Sequence, residues 1–227
     1  MSTFFIMTTD HQHRAMLITF EGLDFSGKST QVRLFSESLT AEGIRNLVVR
    51  DPGGTAIGER IRSILLDRKE LTMSDYTELF LFSASRSQLV HEIVKPTLEQ
   101  GTVVVLDRFY DSTTSYQGWG RGLPLEAIST INTLASHGLV PDITYFIDIP
   151  VEEVDRRMVL QKAGADRMEM SGQAFYKRVR EGFLSLASES PRFEVLDGTQ
   201  AIQDIHSKVR ARFEREFDRI SGKLSGL

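Results

Sequence analysis

The sequence predicts an α/β fold of three layers, a five-stranded parallel sheet flanked by helices. Three observations predict it. Five short apolar runs alternate with longer amphipathic stretches. Most of the runs are continuous rather than alternating, as strands covered on both faces require. The residues unsuited to a buried strand fall just after the runs, where parallel sheets hold their ligands.

The runs, in order, are MLITF (Met16–Phe20), NLVVR (Asn46–Arg50), TVVVLD (Thr102–Asp107), ITYFIDI (Ile143–Ile149) and FEVLD (Phe193–Asp197). Between the first two, Val32, Phe35 and Leu39 recur at helical spacing and Gly43 follows as a C-cap. From Ser74, the residues Leu79, Phe82, Leu89, Ile93 and Val94 mark a long helix expected to stop before Pro96. Ile202, Ile205, Val209, Phe213 and Phe217 place a last helix against the sheet. Three strand ends then converge on one cleft: Glu21 onward, Arg50-Asp51-Pro52-Gly53-Gly54, and Asp107-Arg108.

Composition narrows the function. A chain of 227 residues, 41% hydrophobic and 26% charged, is long enough for one domain with a full core. A formal net charge of -4 argues against a general nucleic-acid or anionic-membrane binder. The absence of cysteine excludes disulfides, zinc-thiolate sites and thiol catalysis, and fits a cytoplasmic protein. The opening MSTFFIMTTDHQHR lacks the features of a signal peptide and reads as a flexible extension, residues 1–15, ahead of a single domain, 16–227. No apolar run has the length needed to cross a bilayer.

The chemistry starts at FEGLDFSGKSTQ. Gly22-Leu23-Asp24-Phe25-Ser26-Gly27-Lys28-Ser29 fits G-x-x-x-x-G-K-[ST], after a predicted strand and at the head of a predicted helix. The glycines allow a tight loop whose N–H groups turn inward on phosphate oxygens, and the helix N-terminus adds its dipole. Lys28 is expected across the β- and γ-phosphates, with Thr30 beside it on the opening helix. The Ser29 hydroxyl is expected on magnesium. ATP or GTP binding follows. No NKxD-type base-reading segment of a switch GTPase is present.

A second substrate is needed to explain the rest. Phe82 and Arg86 stand four residues apart on one helix face, where a ring stacks on a flat base and a guanidinium donates to its carbonyl. A core phenylalanine and a solvated arginine would have the same spacing. Asp107-Arg108 ends the third apolar run, facing the glycine loop. An arginine fork there suits another phosphoryl group, and Asp107 could hold the waters of magnesium. A pair that merely closes a loop remains the alternative.

These segments resemble the thymidylate kinase family, bacterial type. The resemblance rests on the phosphate loop with its inner acid, Arg50–Thr55 (RDPGGT, where REPGGT is usual), Phe82–Arg86, and Asp107–Gly122. It continues through Asp166-Arg167-Met168-Glu169 and Leu196-Asp197-Gly198-Thr199, in family order over nearly all the chain after residue 15. It implies a P-loop kinase fold with a helical lid, about residues 155–170. The implied activity is transfer of the γ-phosphoryl of Mg-ATP to dTMP, giving dTDP for dTTP synthesis. Asp24 would accept the 3′-hydroxyl of dTMP, Phe82 would stack on thymine and Arg86 would bond its carbonyl. Arg108 with Arg50 would hold the acceptor phosphate, Tyr116 would exclude a ribose 2′-hydroxyl, and Gln117 would line the base pocket. Thr199 would border the adenine of ATP.

Some members carry an arginine within the phosphate loop, where this chain has Phe25, and others compensate with lid arginines. Here the lid offers Arg156, Arg157, Lys162 and Arg167, with Gly164 as a pivot. Lys162 and Arg167 are the catalytic expectations among them. A homodimer is implied by the family. The alternatives are another nucleoside or nucleoside-monophosphate kinase, or a regulatory P-loop ATPase without an acceptor pocket.

Overall fold

The computed structural model describes residues 15–67, 72–161, 167–168 and 172–220. Residues 1–14 of the expected extension (residues 1–15), Lys162, Gly164, Asp166 and Glu169 lie outside the described residues.

The five apolar runs form one sheet: β1 (Leu17–Glu21), β2 (Asn46–Arg50), β3 (Val103–Asp107), β4 (Ile143–Asp148) and β5 (Phe193–Asp197). The order is β2-β3-β1-β4-β5 and every pairing is parallel. β1 and β3 are buried because they are central and covered on both faces. On one face α1 (Lys28–Ala41) and α9 (Ile202–Ile220) pack Phe35, Leu39, Val209 and Phe213 against Phe20 and Tyr145. On the other, α8 (Gln173–Glu189) sets Phe183 parallel to Phe146 at 5.0 Å. Each such cluster stabilises by roughly 1.5–3 kcal/mol per fully buried large side chain.

The remaining helices carry the cleft. They are α2 (Ala56–Leu66), α3 (Asp75–Leu89), α4 (Lys95–Glu99), α5 (Tyr110–Thr113), α6 (Leu125–Ala135) and α7 (Val151–Gln161). Thr55 and Ser74 cap α2 and α3 through their hydroxyls, which accept from Gly58 and Thr77 N–H. Gly43, at φ 74, ends α1 as expected, with Ile44 N–H bonded back to Leu39 O.

The long helix does not stop before Pro96. A π-helical turn, Val90–Val94, joins α3 to α4, and Lys95 N–H bonds Val90 O five residues back. The widened turn takes up the proline's missing donor and its clash with the preceding turn. A second π-helical turn, Thr114–Gly120, follows α5 and carries Tyr116 and Gln117. Neither was visible as a periodicity.

Candidate active site

The sharp turn after β1 is forced by Gly22: a Cβ there would meet Ile147 O at 2.5 Å. Gly27 precedes α1 at φ 98, a conformation that glycine takes without strain. Lys28 then points back under the loop, buried, with Nζ donating to Leu23 O at 2.7 Å and Gly22 O at 3.1 Å. Burial, and then the neighbouring Arg108, depress its pKa to about 8. A depressed ammonium held over the loop carbonyls is poised to gain from an arriving polyphosphate.

The Ser29 hydroxyl donates to Asp107 Oδ2 at 2.8 Å across α1 and β3. One hydroxyl and one carboxylate beside a phosphate loop are the hard oxygen donors that magnesium accepts alongside nucleotide phosphates. The donor set fits the ion. Among the described residues no group of three or more acidic or histidine side chains is placed to hold a metal ion.

Arg108 follows β3 with a left-handed backbone, φ 71, which costs energy in a non-glycine residue. Its guanidinium lies across the foot of the phosphate loop. Nη1 donates to Gly22 O at 2.8 Å and to the Ser112 hydroxyl, and Nη2 donates to Asp24 Oδ1 at 2.6 Å. Glu21 holds this loop in place, accepting from Phe109 N–H at 2.7 Å and from the Ser112 hydroxyl at 2.6 Å. Burial, with Asp111 next, pushes the Glu21 carboxyl up to about 8.

Asp24 is the meeting point. Besides Arg108, it accepts from the hydroxyls of Tyr116 at 3.1 Å and Tyr176 at 3.0 Å. Burial pulls its pKa up, but the charges of Arg108 and Lys28 and then these two hydroxyls hold it below the ordinary aspartate range. Asp24 therefore stays ionised and faces a cavity rather than the phosphate loop.

That cavity is lined by Asp24, Phe82, Arg86, Arg108, Tyr116 and Gln117, six of the expected acceptor residues, together with Asp51, Arg62, Thr113 and Met168. Arg86 is only 2% exposed and Asp51 3%. Arg86 Nε donates to Asp51 Oδ2 at 2.5 Å, and its Nη groups reach Asn132 Oδ1 and Phe109 O. Asp51 Oδ1 and the Thr113 hydroxyl are buried without a hydrogen-bond partner among the described residues. Polar atoms in that state at a cavity wall are what a polar ligand satisfies.

Three expected residues stand apart. Arg50 is half exposed and paired with Glu59 of α2, lining a neighbouring groove with Ser29 and Asp107. Thr199 is exposed, with its N–H and hydroxyl turned to Asp197, although Gly198 and Gln200 on either side line a groove below Gly27. Arg167 is buried on Leu65 O and Glu78 and does not itself line the acceptor cavity, although the next residue, Met168, does.

Of the described cations in the expected lid, Arg157 is the one bonded to the phosphate loop. It donates to Phe25 O at 3.1 Å and Ser26 O at 3.3 Å, and to Gly198 O at 2.8 Å. Arg156, one residue earlier, is exposed and pairs with Glu153. The sequence reading missed Arg62, Tyr176 and Glu78, and placed Asp51 at the cleft without giving it a role. Only Asp51, which adjoins the PGG turn, carried a usable signal.

A parallel sheet with a phosphate loop and a polar cavity sharing one wall, Asp24 and Arg108, defines the class: a P-loop phosphotransferase with an acceptor site beside its donor loop. A model of the thymidylate kinase family matches residues 20–209, and the chain belongs to that family. It is 47% identical over 197 residues to a thymidylate kinase of Caldanaerobacter subterraneus, covering 86% of this chain and 93% of that one. It is 45% identical to one from Kosmotoga olearia, covering 87% and 95%. A crystal structure of thymidylate kinase from Ehrlichia chaffeensis superposes with a TM-score of 0.71 at 35% identity, over 88% of this chain and 98% of that one.

Proposed function

We propose that the protein transfers the γ-phosphoryl group of Mg-ATP to the 5′-phosphate of dTMP, yielding ADP and dTDP. The observation that carries this reading is the shared wall. Arg108 touches both the loop carbonyl of Gly22 and the carboxylate Asp24, so a phosphate held by Arg108 lies next to one held by the loop.

The donor's phosphates take the loop N–H groups from Leu23 through Thr30, with Lys28 swinging from the carbonyls of Gly22 and Leu23 onto the terminal phosphates. Magnesium, held through Ser29 and Asp107, would neutralise charge between the phosphates. Arg157, beside Gly198 and the start of α1, covers the nucleoside of ATP, with Thr199 at its border. The acceptor phosphate takes Arg108 and Arg62, which line one cavity. Arg50 joins them only if it leaves Glu59. Asp24 takes the 3′-hydroxyl, Tyr116 fills the space of a 2′-hydroxyl, Phe82 stacks on the base and Arg86 donates to its carbonyl.

The acceptor phosphate is already ionised, so the reaction needs positioning and charge neutralisation rather than a strong base. Lys162 remains the proposed lid cation at the transferred group. Arg167 has a positioning role instead, because the acceptor side holds it.

The domain from residue 16 onward works as one kinase unit in the cytoplasm, with its lid at about 155–170. No described helix is long and apolar enough to cross a membrane. A homodimer through α2, α3 and α6 is the proposed assembly, since these neighbouring helices expose Ile57, Ile64, Tyr76, Phe80 and Leu134.

An ADP-release assay across acceptors tests the reading. With dTMP as the best substrate, dUMP falls by roughly tenfold to a hundredfold, the worth of one methyl group in a pocket. dCMP falls further, and thymidine, lacking the phosphate for Arg108, is inert. Phosphorylation of thymidine with none of dTMP would overturn it.

A further inference from the structure

Glu78 lies in the first turn of α3, behind the cavity residue Gln117, and is 1% exposed. An acid in the first turn of a helix is ordinarily a solvated residue favoured by the dipole. This one faces inward. Gln117 Nε2 donates to its Oε1 at 2.9 Å, Arg121 donates to both oxygens at 3.1 Å, and Arg167 lies 2.6 Å from its Oε2. Burial raises its pKa, but the hydrogen bond and charge of Arg121, then Gln117 and Arg167, outweigh it and hold the carboxyl below the glutamate range.

An ionised carboxylate can only accept hydrogen bonds, so Gln117 must turn its NH2 toward Glu78 and its carbonyl oxygen away. Gln117 is itself 1% exposed and lines the acceptor cavity with Arg86. The cavity thus holds donors on Arg86 and a fixed acceptor on Gln117. That pairing complements the adjacent carbonyl and N–H of an imide base such as thymine. Cytosine presents an amino group and a bare nitrogen at the same edge, with both polarities reversed.

We propose that Glu78 is a positioning residue for base choice: by fixing the Gln117 amide it makes the pocket read an imide edge, without touching the base. The inference deepens the proposed function and rests on it. Arg121 and Arg167 supply the charge that lets a carboxylate occupy this place. Through Arg167 and Met168, which lines the cavity, the same residue ties the end of the lid segment to the acceptor site.

The test is E78Q assayed with dTMP and dCMP at saturating Mg-ATP. A glutamine at 78 can donate as well as accept, so the Gln117 amide is free to flip. The dTMP-to-dCMP ratio of kcat/KM is expected to fall by about tenfold or more, through KM for the acceptor, with KM for ATP unchanged. A folded E78Q that keeps the parent ratio overturns the proposal. Should E78Q fail to fold, E78D carries the test. It keeps the charge that Arg121 and Arg167 need and withdraws the carboxylate from Gln117, and the same fall or its absence decides. The parent's own ratio separates the two levels. If the parent does not prefer dTMP, the function is wrong; if it does and the variants match it, only the role of Glu78 is.

Discussion

Replacing Lys28 with methionine abolishes turnover while leaving the fold in place. The expected loss in kcat is about a thousandfold, the scale of removing one preorganised charge from a developing transition state. Stability should change by less than about 1 kcal/mol, because two opposing effects nearly cancel. The side chain gives up its bonds to Gly22 O and Leu23 O, and the protein no longer has to bury an ammonium whose pKa is already depressed to about 8. Kinetics and urea denaturation on the same preparation check both halves. A variant that loses stability in step with activity would make Lys28 a structural tie instead.

Arg86→Met should be costly in both respects. Its guanidinium is the charge partner of Asp51, and both side chains are almost fully enclosed. Removing it leaves a buried carboxylate unpaired, at roughly 3–5 kcal/mol of stability. dTMP affinity should fall by about a hundredfold as the base carbonyl loses its donor. The double variant Arg86→Met/Asp51→Asn distinguishes the two losses. Neutralising Asp51 should return about half of the stability, since no bare charge remains, and none of the dTMP affinity. Calorimetric titration with dTMP reads the second quantity. If affinity recovers along with stability, Arg86 is scaffolding and not a reader of the base.

The parts of the molecule that could be read from sequence share a physical feature: the signal was local. A strand covered on both faces needs a continuous apolar run, so VVVL in β3 announced itself. A phosphate loop needs two glycines and a lysine at fixed spacing, and Gly22, Gly27 and Lys28 could hardly mean anything else. Phe82 and Arg86 line one cavity because a helix brings residues four apart onto one face.

What stayed hidden depends on contacts between distant segments. Asp51 meets Arg86 across 35 positions and Gln117 meets Glu78 across 39, and no spacing rule anticipates either pair. Arg156 and Arg157 are neighbours of the same type; the turn of α7 alone decides that one faces solvent and the other the phosphate loop. Arg167 read as a lid cation because of its motif, and its ion pair with Glu78 of α3, distant in sequence, could not be anticipated. Pro96 read as a helix end because the rule assumes α-helical hydrogen bonding, and the π-helical turn before it does not obey that assumption.

The central claim is that two nucleotides meet end to end across the wall formed by Asp24 and Arg108. A crystal structure with dTMP and a non-hydrolysable ATP analogue measures it directly. The account predicts the thymine ring on Phe82 with its carbonyl at Arg86, the dTMP phosphate on Arg108, and the analogue's terminal phosphate beside it over Lys28. A dTMP molecule bound outside that cavity, or with its phosphate turned away from the loop, would contradict it.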